Sequence, residues 1–158
     1  MEKEKKLILE GCDCSGKSTI ANILRERYPN LDIADRSFIS DRVYAQKFNR
    51  QIYLGVPINT YLDYWEQWHK NNMDIRVVLF TAKASTLAER AFDKDESFCR
   101  NRTFEETEKY LQIDNHAFIS AANFVCSRLD VPLLSINTDN SIENTLERIE
   151  AFIHDEWL

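Results

Sequence analysis

Residues 11–18 of this 158-residue chain read Gly11-Cys12-Asp13-Cys14-Ser15-Gly16-Lys17-Ser18. The stretch matches the pattern G-x-x-x-x-G-K-[ST] at every fixed position. A short apolar run at residues 6–10 comes directly before it, and from Gly16 onward the apolar residues recur with helical spacing. A strand, a glycine-bearing loop and a helix in this order predict a loop that binds phosphate groups.

The residue types of this loop have physical reasons. Gly11 and Gly16 allow backbone conformations and close approaches that a Cβ atom would obstruct. Backbone N–H groups of the loop and of the helix that follows would point at phosphate oxygens. Lys17 would place its charge on the β- and γ-phosphates, and the Ser18 hydroxyl can ligate Mg²⁺. We therefore expect ATP and Mg²⁺ to bind at Gly11, Cys12, Asp13, Cys14, Ser15, Gly16, Lys17, Ser18 and Thr19; the alternative is an ordinary glycine-bearing turn.

Apolar periodicity predicts alternating strands and helices along the rest of the chain. The predicted strands are residues 6–10, 31–35, 75–81 and 131–136. The predicted helices are residues 16–28, 40–55 with Ser40 as the cap, an aromatic-rich helix around residues 61–68, two helices opened by capping boxes at Thr86 and Thr103, and residues 142–153. The alternation predicts a parallel sheet covered on both faces, a three-layer α/β/α fold in one domain over residues 1–158.

Composition and charge exclude several classes. The net charge of −6 argues against a general nucleic-acid binder. The first six residues lack the apolar core of a signal peptide, and no run is long enough to span a bilayer, so we expect a cytoplasmic protein with no membrane partner. Cys12 and Cys14 lie in the loop, and we expect all four cysteines to be reduced thiols. The three histidines show no metal or triad spacing and are expected at the surface or as caps.

Other nucleotide-binding classes lack their signatures here. A guanine-reading N-K-x-D is missing, and D-x-x-G occurs only inside the loop itself. The apolar run that includes residues 77–80 ends in Thr81 and not in the Asp-Glu pair of motor-type ATPases. Small kinases remain.

Three segments resemble those of thymidylate kinases and related deoxynucleotide and deoxynucleoside kinases. The first is residues 9–19, similar to E-G-x-D-x-x-G-K-[ST]-T. The second is Asp35-Arg36-Ser37-Phe38-Ile39-Ser40, similar to D-R-[YS]-x-x-S. The third is residues 78–81 followed by Leu87-Ala88-Glu89-Arg90, similar to the strand and L-x-x-R helix that lead into the lid of those enzymes.

The resemblance implies roles for individual residues. Asp13 would bind the 3′-hydroxyl of a deoxyribose acceptor, Arg36 would contact the phosphate being transferred or accepted, and Asp35 would lie near the metal or the attacking oxygen. The turn at residues 137–139 would lie near adenine. Three arginines would close over the donor phosphates: Arg90, Arg100 and Arg102.

Further candidates come from position in the chain. Asp35 ends a strand at the edge where parallel sheets bind ligands, so we expect it to ligate Mg²⁺ or to accept the proton of an acceptor hydroxyl; a surface ion pair with Arg36 is the alternative. Phe38 and Tyr44 are candidates for stacking on the acceptor base, and Arg42 faces either phosphate or solvent. Residues 92–102 are charged and aperiodic, as expected of a mobile lid and equally of any solvated loop.

These observations predict an ATP- and Mg²⁺-dependent phosphotransferase acting on a deoxynucleoside or its monophosphate. One departure from the resemblance is that Asp35 follows Lys17 by only 18 positions, where those kinases usually carry another strand and part of the acceptor site. Two alternatives therefore stay open: a kinase of hydroxyl groups on nucleic acid, and a non-catalytic nucleotide-binding regulatory protein. The helix predicted from Ser40 is a candidate homodimer face.

Overall fold

The computed structural model describes residues 2–154 and 157–158. The strands are β1 Glu4–Glu10, β2 Asp32–Asp35, β3 Ile52–Tyr53, β4 Val56–Pro57, β5 Met73–Thr81 and β6 Leu133–Asn137. The helices are α1 Lys17–Arg27, α2 Phe38–Lys47, α3 Ile58–Asn72, α4 Ala84–Asp93, α5 Phe104–Leu129 and α6 Ile142–His154, with a short 3₁₀ helix at Ser97–Cys99.

The central sheet is parallel and has the strand order β2-β1-β5-β6. Ile8 of β1 pairs with Ala34 of β2 on one side and with Val77 of β5 on the other. Residues 77–80 are completely buried, which fits the continuous apolar run of a strand covered on both faces.

Two apolar cores, one on each face of the sheet, account for the layers. Because side chains alternate along a strand, Leu7 and Leu9 enter one core while Ile8 enters the other. The first core holds side chains of α1 and α6, such as Leu24 and Ile149; the second holds side chains of α2, α4 and α5. The predicted three-layer α/β/α fold is confirmed.

The helix predicted over residues 40–55 is wrong in both bounds. Helix α2 begins at Phe38 and ends at Lys47, and β3 and β4 then form a hairpin whose turn holds Leu54 and Gly55 at φ values of 50° and 79°. The shared face expected of this helix has no core to cover, since Phe48 and Ile52 are 59% and 68% exposed. The candidate dimer face therefore does not exist as one helix.

Of the two predicted capping boxes, one is confirmed and one is wrong. The Thr103 hydroxyl accepts from the Glu106 N–H at 3.2 Å, and the Glu106 carboxylate accepts from the Thr103 N–H at 3.1 Å. Thr86 instead lies inside α4, which begins at Ala84, and its hydroxyl bonds the Asp139 carboxylate. A side-chain partner on another loop has taken the place of the local cap.

The cysteines and one of the histidines lie in the protein interior. All four cysteines are buried free thiols. His69 is 2% exposed and packs against Phe38 and Trp65, so the expectation of a surface or capping histidine is wrong for this residue. Within residues 2–154 and 157–158, every helix is too short or too polar to cross a membrane.

Candidate functional site

The loop at residues 11–16 joins the carboxyl end of β1 to α1 as the sequence predicts. A Cβ atom on Gly11 would lie 2.7 Å from the Phe80 carbonyl oxygen, so only glycine fits against β5. Gly16 has a φ of 88° and is the N-cap of α1, and Cys14 has a φ of 66°. The loop is therefore held in a conformation that ordinary residues rarely adopt.

A cavity of about 140 Å³ lies in front of this loop. Its walls are residues 12–19, Arg36 from the end of β2, and Lys94 and Glu96 from the segment after α4. The carboxyl ends of parallel strands are where α/β sheets bind ligands, and the cavity lies at that edge.

Asp35 is the acidic group nearest to the lysine of the loop. Its Oδ1 atom lies 3.0 Å from Lys17 Nζ, and its Oδ2 atom accepts from Ser18 Oγ at 3.2 Å. Lys17 is 5% exposed although it carries a charge. A hydroxyl and a carboxylate brought together in this way are the hard oxygen ligands that Mg²⁺ prefers, so the residues fit that ion.

Arg36 links the loop to α2 on the other side of the cavity. Its guanidinium donates to Asp13 Oδ1 at 2.8 Å and to the Tyr44 hydroxyl at 2.5 Å. Arg36 itself has a φ of 99°, which is strained for a residue with a side chain. Burial raises the pKa of the Tyr44 hydroxyl, which keeps the phenol protonated.

Arg90 and Thr138 support the loop from behind. The Arg90 guanidinium donates to the Cys14 carbonyl at 3.0 Å and to the Thr138 carbonyl at 2.7 Å. The Thr138 hydroxyl donates to the Ser15 carbonyl at 2.8 Å. In this structure Arg90 therefore contacts backbone of the loop and of the turn predicted to lie near adenine, and its predicted contact with donor phosphate stays a prediction.

Two residues predicted for the acceptor side, Phe38 and Arg42, lie between the helices and not at the cavity. Phe38 is completely buried against His69. Arg42 is 9% exposed and donates to Glu66, because α2 and α3 bury this pair between them. In this structure both side chains contact protein groups outside the cavity, and their predicted roles at the acceptor stay predictions.

The lid arginines are also engaged outside the cavity. Arg100 donates to the Asp95 carboxylate at 3.3 Å, and both side chains are largely exposed. Arg102 donates to the Phe98 carbonyl and lies 4.4 Å from the centre of the Tyr110 ring. Neither lines the cavity, whereas Lys94 and Glu96 from the same segment do.

The sequence analysis missed Glu10, the last residue of β1. It is completely buried, and burial raises the pKa of its carboxyl to about 7 although hydrogen bonds from Ser40 and Ser37 lower it. The available signal was its place as the first residue of the pattern E-G-x-D-x-x-G-K-[ST]-T that residues 9–19 resemble, directly after the apolar residues 7–9.

Comparisons with known proteins bear on the fold. No protein-family model matches the chain, and no curated protein matches it in sequence. Solved structures do match. A deoxyadenosine kinase from M. mycoides with bound dCTP has a TM-score of 0.60 at 15% identity, covering 94% of this chain and 98% of that chain. A structure of deoxyadenosine kinase from M. mycoides with bound dATP has a TM-score of 0.57 at 17% identity, covering 95% of this chain and 100% of that one. The chain therefore has the three-layer fold of the P-loop deoxynucleoside kinases that its sequence resembles.

Proposed function

We propose that this protein is a kinase that transfers the γ-phosphoryl group of ATP to a hydroxyl of a deoxynucleoside. The observation that carries the proposal is the contact of Asp35 with two residues of the cavity wall: its carboxylate lies 3.0 Å from Lys17 Nζ and accepts from Ser18 Oγ at 3.2 Å. Phosphoryl transfer needs positioning and neutralisation of charge more than covalent help from the protein. These three side chains and the loop amides supply both.

Each group has a task under this proposal. The loop N–H groups and Lys17 would bind the donor phosphates. Ser18 and Asp35 would hold Mg²⁺, which would neutralise charge on the β- and γ-phosphate oxygens. Arg36 would contact the transferred group, and residues 92–102 would form the lid, with Lys94 at the cavity wall. The acceptor hydroxyl loses its proton as the new P–O bond forms, and a carboxylate would accept that proton; Asp35, the strand-end carboxylate beside Lys17, is the candidate.

The pairing of charges favours a neutral acceptor. Arg36 is already paired with the Asp13 carboxylate, so the acceptor side carries no net charge from this pair. Arg42, the other arginine predicted on the acceptor side, is paired with Glu66. A deoxynucleoside brings no charge, whereas a monophosphate would have to compete for one of these arginines. The fold similarity to deoxyadenosine kinases supports the same acceptor class.

The test is transfer of label from radiolabelled ATP in the presence of Mg²⁺ to deoxynucleosides, their monophosphates and a short oligonucleotide. We expect labelled deoxynucleoside monophosphate. Lys17→Ala should lower the rate by about 10²–10³-fold, as removal of a charge-stabilising group does in other enzymes. Lys70→Ala removes the same charge from the carboxyl end of α3, where Lys70 donates to the Asp130 carbonyl, and is the matched control.

A second function is favoured by the position of β2. This strand, which carries Asp35, lies at one edge of the central sheet and follows α1 directly. Within the described residues 17–35, the chain therefore has no further strand between α1 and β2, where the kinases that it resembles usually carry part of the acceptor site. A regulatory protein that binds a nucleotide without transferring phosphate would not need that segment. Binding of Mg·ATP without transfer to any acceptor would favour the regulatory protein over the kinase. Label on the oligonucleotide alone would show that the acceptor is a hydroxyl group of nucleic acid and not a deoxynucleoside.

A further inference from the structure

The carboxylate of Glu10 occupies the position that a capping side chain ordinarily takes at the start of α2. Its oxygens accept from the Ser37 N–H at 2.8 Å, from the Ser40 N–H at 2.5 Å and from the Ser40 hydroxyl at 2.9 Å. Ser37 is the N-cap of α2, and its own side chain makes no cap hydrogen bond. Glu10 thus binds the free N–H groups of the first turn from another element of the fold.

These bonds hold the short turn that carries Asp35 and Arg36. The Arg36 N–H donates to the Leu9 carbonyl at 3.0 Å, so the turn is tied to β1 through Leu9 and through Glu10. Between the two ties, Arg36 keeps its strained φ of 99°. In this conformation the Asp35 side chain points at Lys17 and the Arg36 side chain points at Asp13.

Stability alone does not account for a carboxylate at this position. A charge buried in this way is unfavourable even when it is hydrogen-bonded, and the raised pKa of Glu10 reports that cost. A neutral side chain with an oxygen acceptor would cap the helix at less cost. The ionised group differs in one respect, because both of its oxygens can accept and so can bind Ser37 and Ser40 together.

We propose that Glu10 is a positioning residue for phosphoryl transfer, which fixes the turn at residues 35–37 so that Asp35 and Arg36 face the phosphate loop. The proposal rests on the kinase function proposed above. Glu10 does not line the cavity and acts through the Ser37 amide and through the amide and hydroxyl of Ser40.

The test compares Glu10→Gln with Glu26→Gln, the same change at an exposed position on α1. Because small displacements of positioned groups lower rates strongly, Glu10→Gln should reduce kcat by about 10–100-fold. The affinity for Mg·ATP should change by less than about threefold, since the loop amides and Lys17 remain. The melting temperature should move by less than about 5 °C, a shift that a merely structural role would exceed. An unchanged kcat would overturn the proposal.

Two further measurements keep the outcome clear. If Glu10→Gln does not fold, Ser40→Ala is measured in its place. This variant removes the hydroxyl donor and leaves both amides, so its kcat should fall by less than the factor expected for Glu10→Gln. A kcat equal to that of the unmodified protein overturns the proposal. Amide hydrogen exchange at Ser37 and Ser40 does not depend on activity. If these amides exchange at least about tenfold faster in Glu10→Gln, then Glu10 fixes the turn at residues 35–37. This result stands even if the protein transfers no phosphate, and in that case only the proposed kinase function is contradicted. Unchanged exchange overturns the Glu10 proposal whatever the activity.

Discussion

Two charged clusters of this molecule contain the same kinds of groups in different surroundings. The phosphate cluster consists of Asp13, Lys17, Asp35 and Arg36, and the interhelical cluster consists of Arg42, Asp63, Glu66 and Arg128. Each has two cations and two carboxylates. The first is carried by the phosphate loop, the start of α1 and the end of β2 beside a cavity, and the second is carried by α2, α3 and α5, which pack together.

The surroundings decide what each cluster can do. In the interhelical cluster Glu66 is completely buried and accepts from both Arg42 and Arg128, while the Phe124 ring covers both guanidinium groups. Asp63 and Arg128 stay partly exposed, but both arginines already have Glu66 as a buried carboxylate partner. In the phosphate cluster Asp13, Lys17 and Arg36 line a cavity together with the phosphate loop, so a polyphosphate can replace the carboxylates as partner of the two cations. The clusters therefore differ in what surrounds the charges: the first has a glycine-bearing loop and the start of a helix beside it, and the second has packed helices.

The largest expected effect is on activity and comes from the phosphate cluster. Asp35→Asn should lower the rate of phosphoryl transfer by about 10³-fold, because it removes a charged oxygen beside Lys17 and Ser18. The Mg²⁺ concentration needed for half-maximal rate should rise. Asp63→Asn, the same change in the interhelical cluster, is the control and should leave the rate unchanged. A variant Asp35→Asn that keeps more than about a tenth of the activity contradicts the assignment.

The next effect is on stability and comes from the interhelical cluster. Glu66→Ala should lower the free energy of unfolding by about 3–5 kcal/mol, since it leaves the Arg42 charge buried without its main partner. Urea denaturation measures this change. The affinity for Mg·ATP should stay the same. The double variant with Arg42→Met should recover part of the loss, and a double variant as unstable as the sum of the two single changes would show that the pair is not coupled.

The third effect is a pH dependence of stability that comes from Glu10, beside the turn that carries Asp35 and Arg36 of the phosphate cluster. The folded-state pKa of Glu10 is raised to about 7 from an ordinary value of 4.5, so its contribution to stability is complete below pH 4.5 and is lost as the pH rises through 7. We expect the free energy of unfolding to fall by about 3 kcal/mol from this group between about pH 5 and pH 8.

Subtraction isolates that contribution. Other groups titrate in the same range, among them His69, whose pKa is lowered by burial. The difference between the unmodified protein and Glu10→Gln, measured by urea denaturation at both pH values, belongs to Glu10. Identical pH dependence in the two proteins would mean that Glu10 does not titrate in this range.

The smallest effect lies outside both clusters. Leu54 is 84% exposed in the hairpin turn and has a φ of 50°, a conformation that Asn adopts more readily. Leu54→Asn should raise the free energy of unfolding by about 0.5 kcal/mol without changing activity. A lower melting temperature for this variant would contradict the turn geometry described for residues 54 and 55.

Local patterns predicted most of the fold. The strand, loop and helix at residues 4–27, the buried strand that includes residues 77–80 and helix α6 each follow from neighbours in the chain, and these three structural predictions are confirmed. Phosphate binding by the loop stays a prediction. The helix predicted over residues 40–55 failed because its apparent face has no opposing core. Thr86 likewise bonds Asp139, a residue 53 positions away, which no local pattern reveals.

In the candidate site, too, the sequence predicted what depends on local pattern and not what depends on contacts between distant elements. The sequence placed Lys17, Ser18 and Asp35 correctly at one edge, since that follows from strand ends in a parallel sheet. It did not separate Arg36 from Arg42, which lie six positions apart, because their partners Asp13 and Glu66 come from different elements. It also indicated no role for Glu10, because that role depends on contacts between the end of β1 and the start of α2, which are distant in the sequence.

The central claim is that the loop at residues 11–18 binds a Mg²⁺-bound polyphosphate through its amides and Lys17. Calorimetric titration of the unmodified protein with Mg·ATP tests it most directly, with Lys17→Ala and Lys70→Ala in parallel. We predict a dissociation constant below about 1 mM for the unmodified protein and for Lys70→Ala, and binding weaker by about 10²-fold for Lys17→Ala. Absence of binding at millimolar Mg·ATP, or equal affinity for all three proteins, would contradict the account.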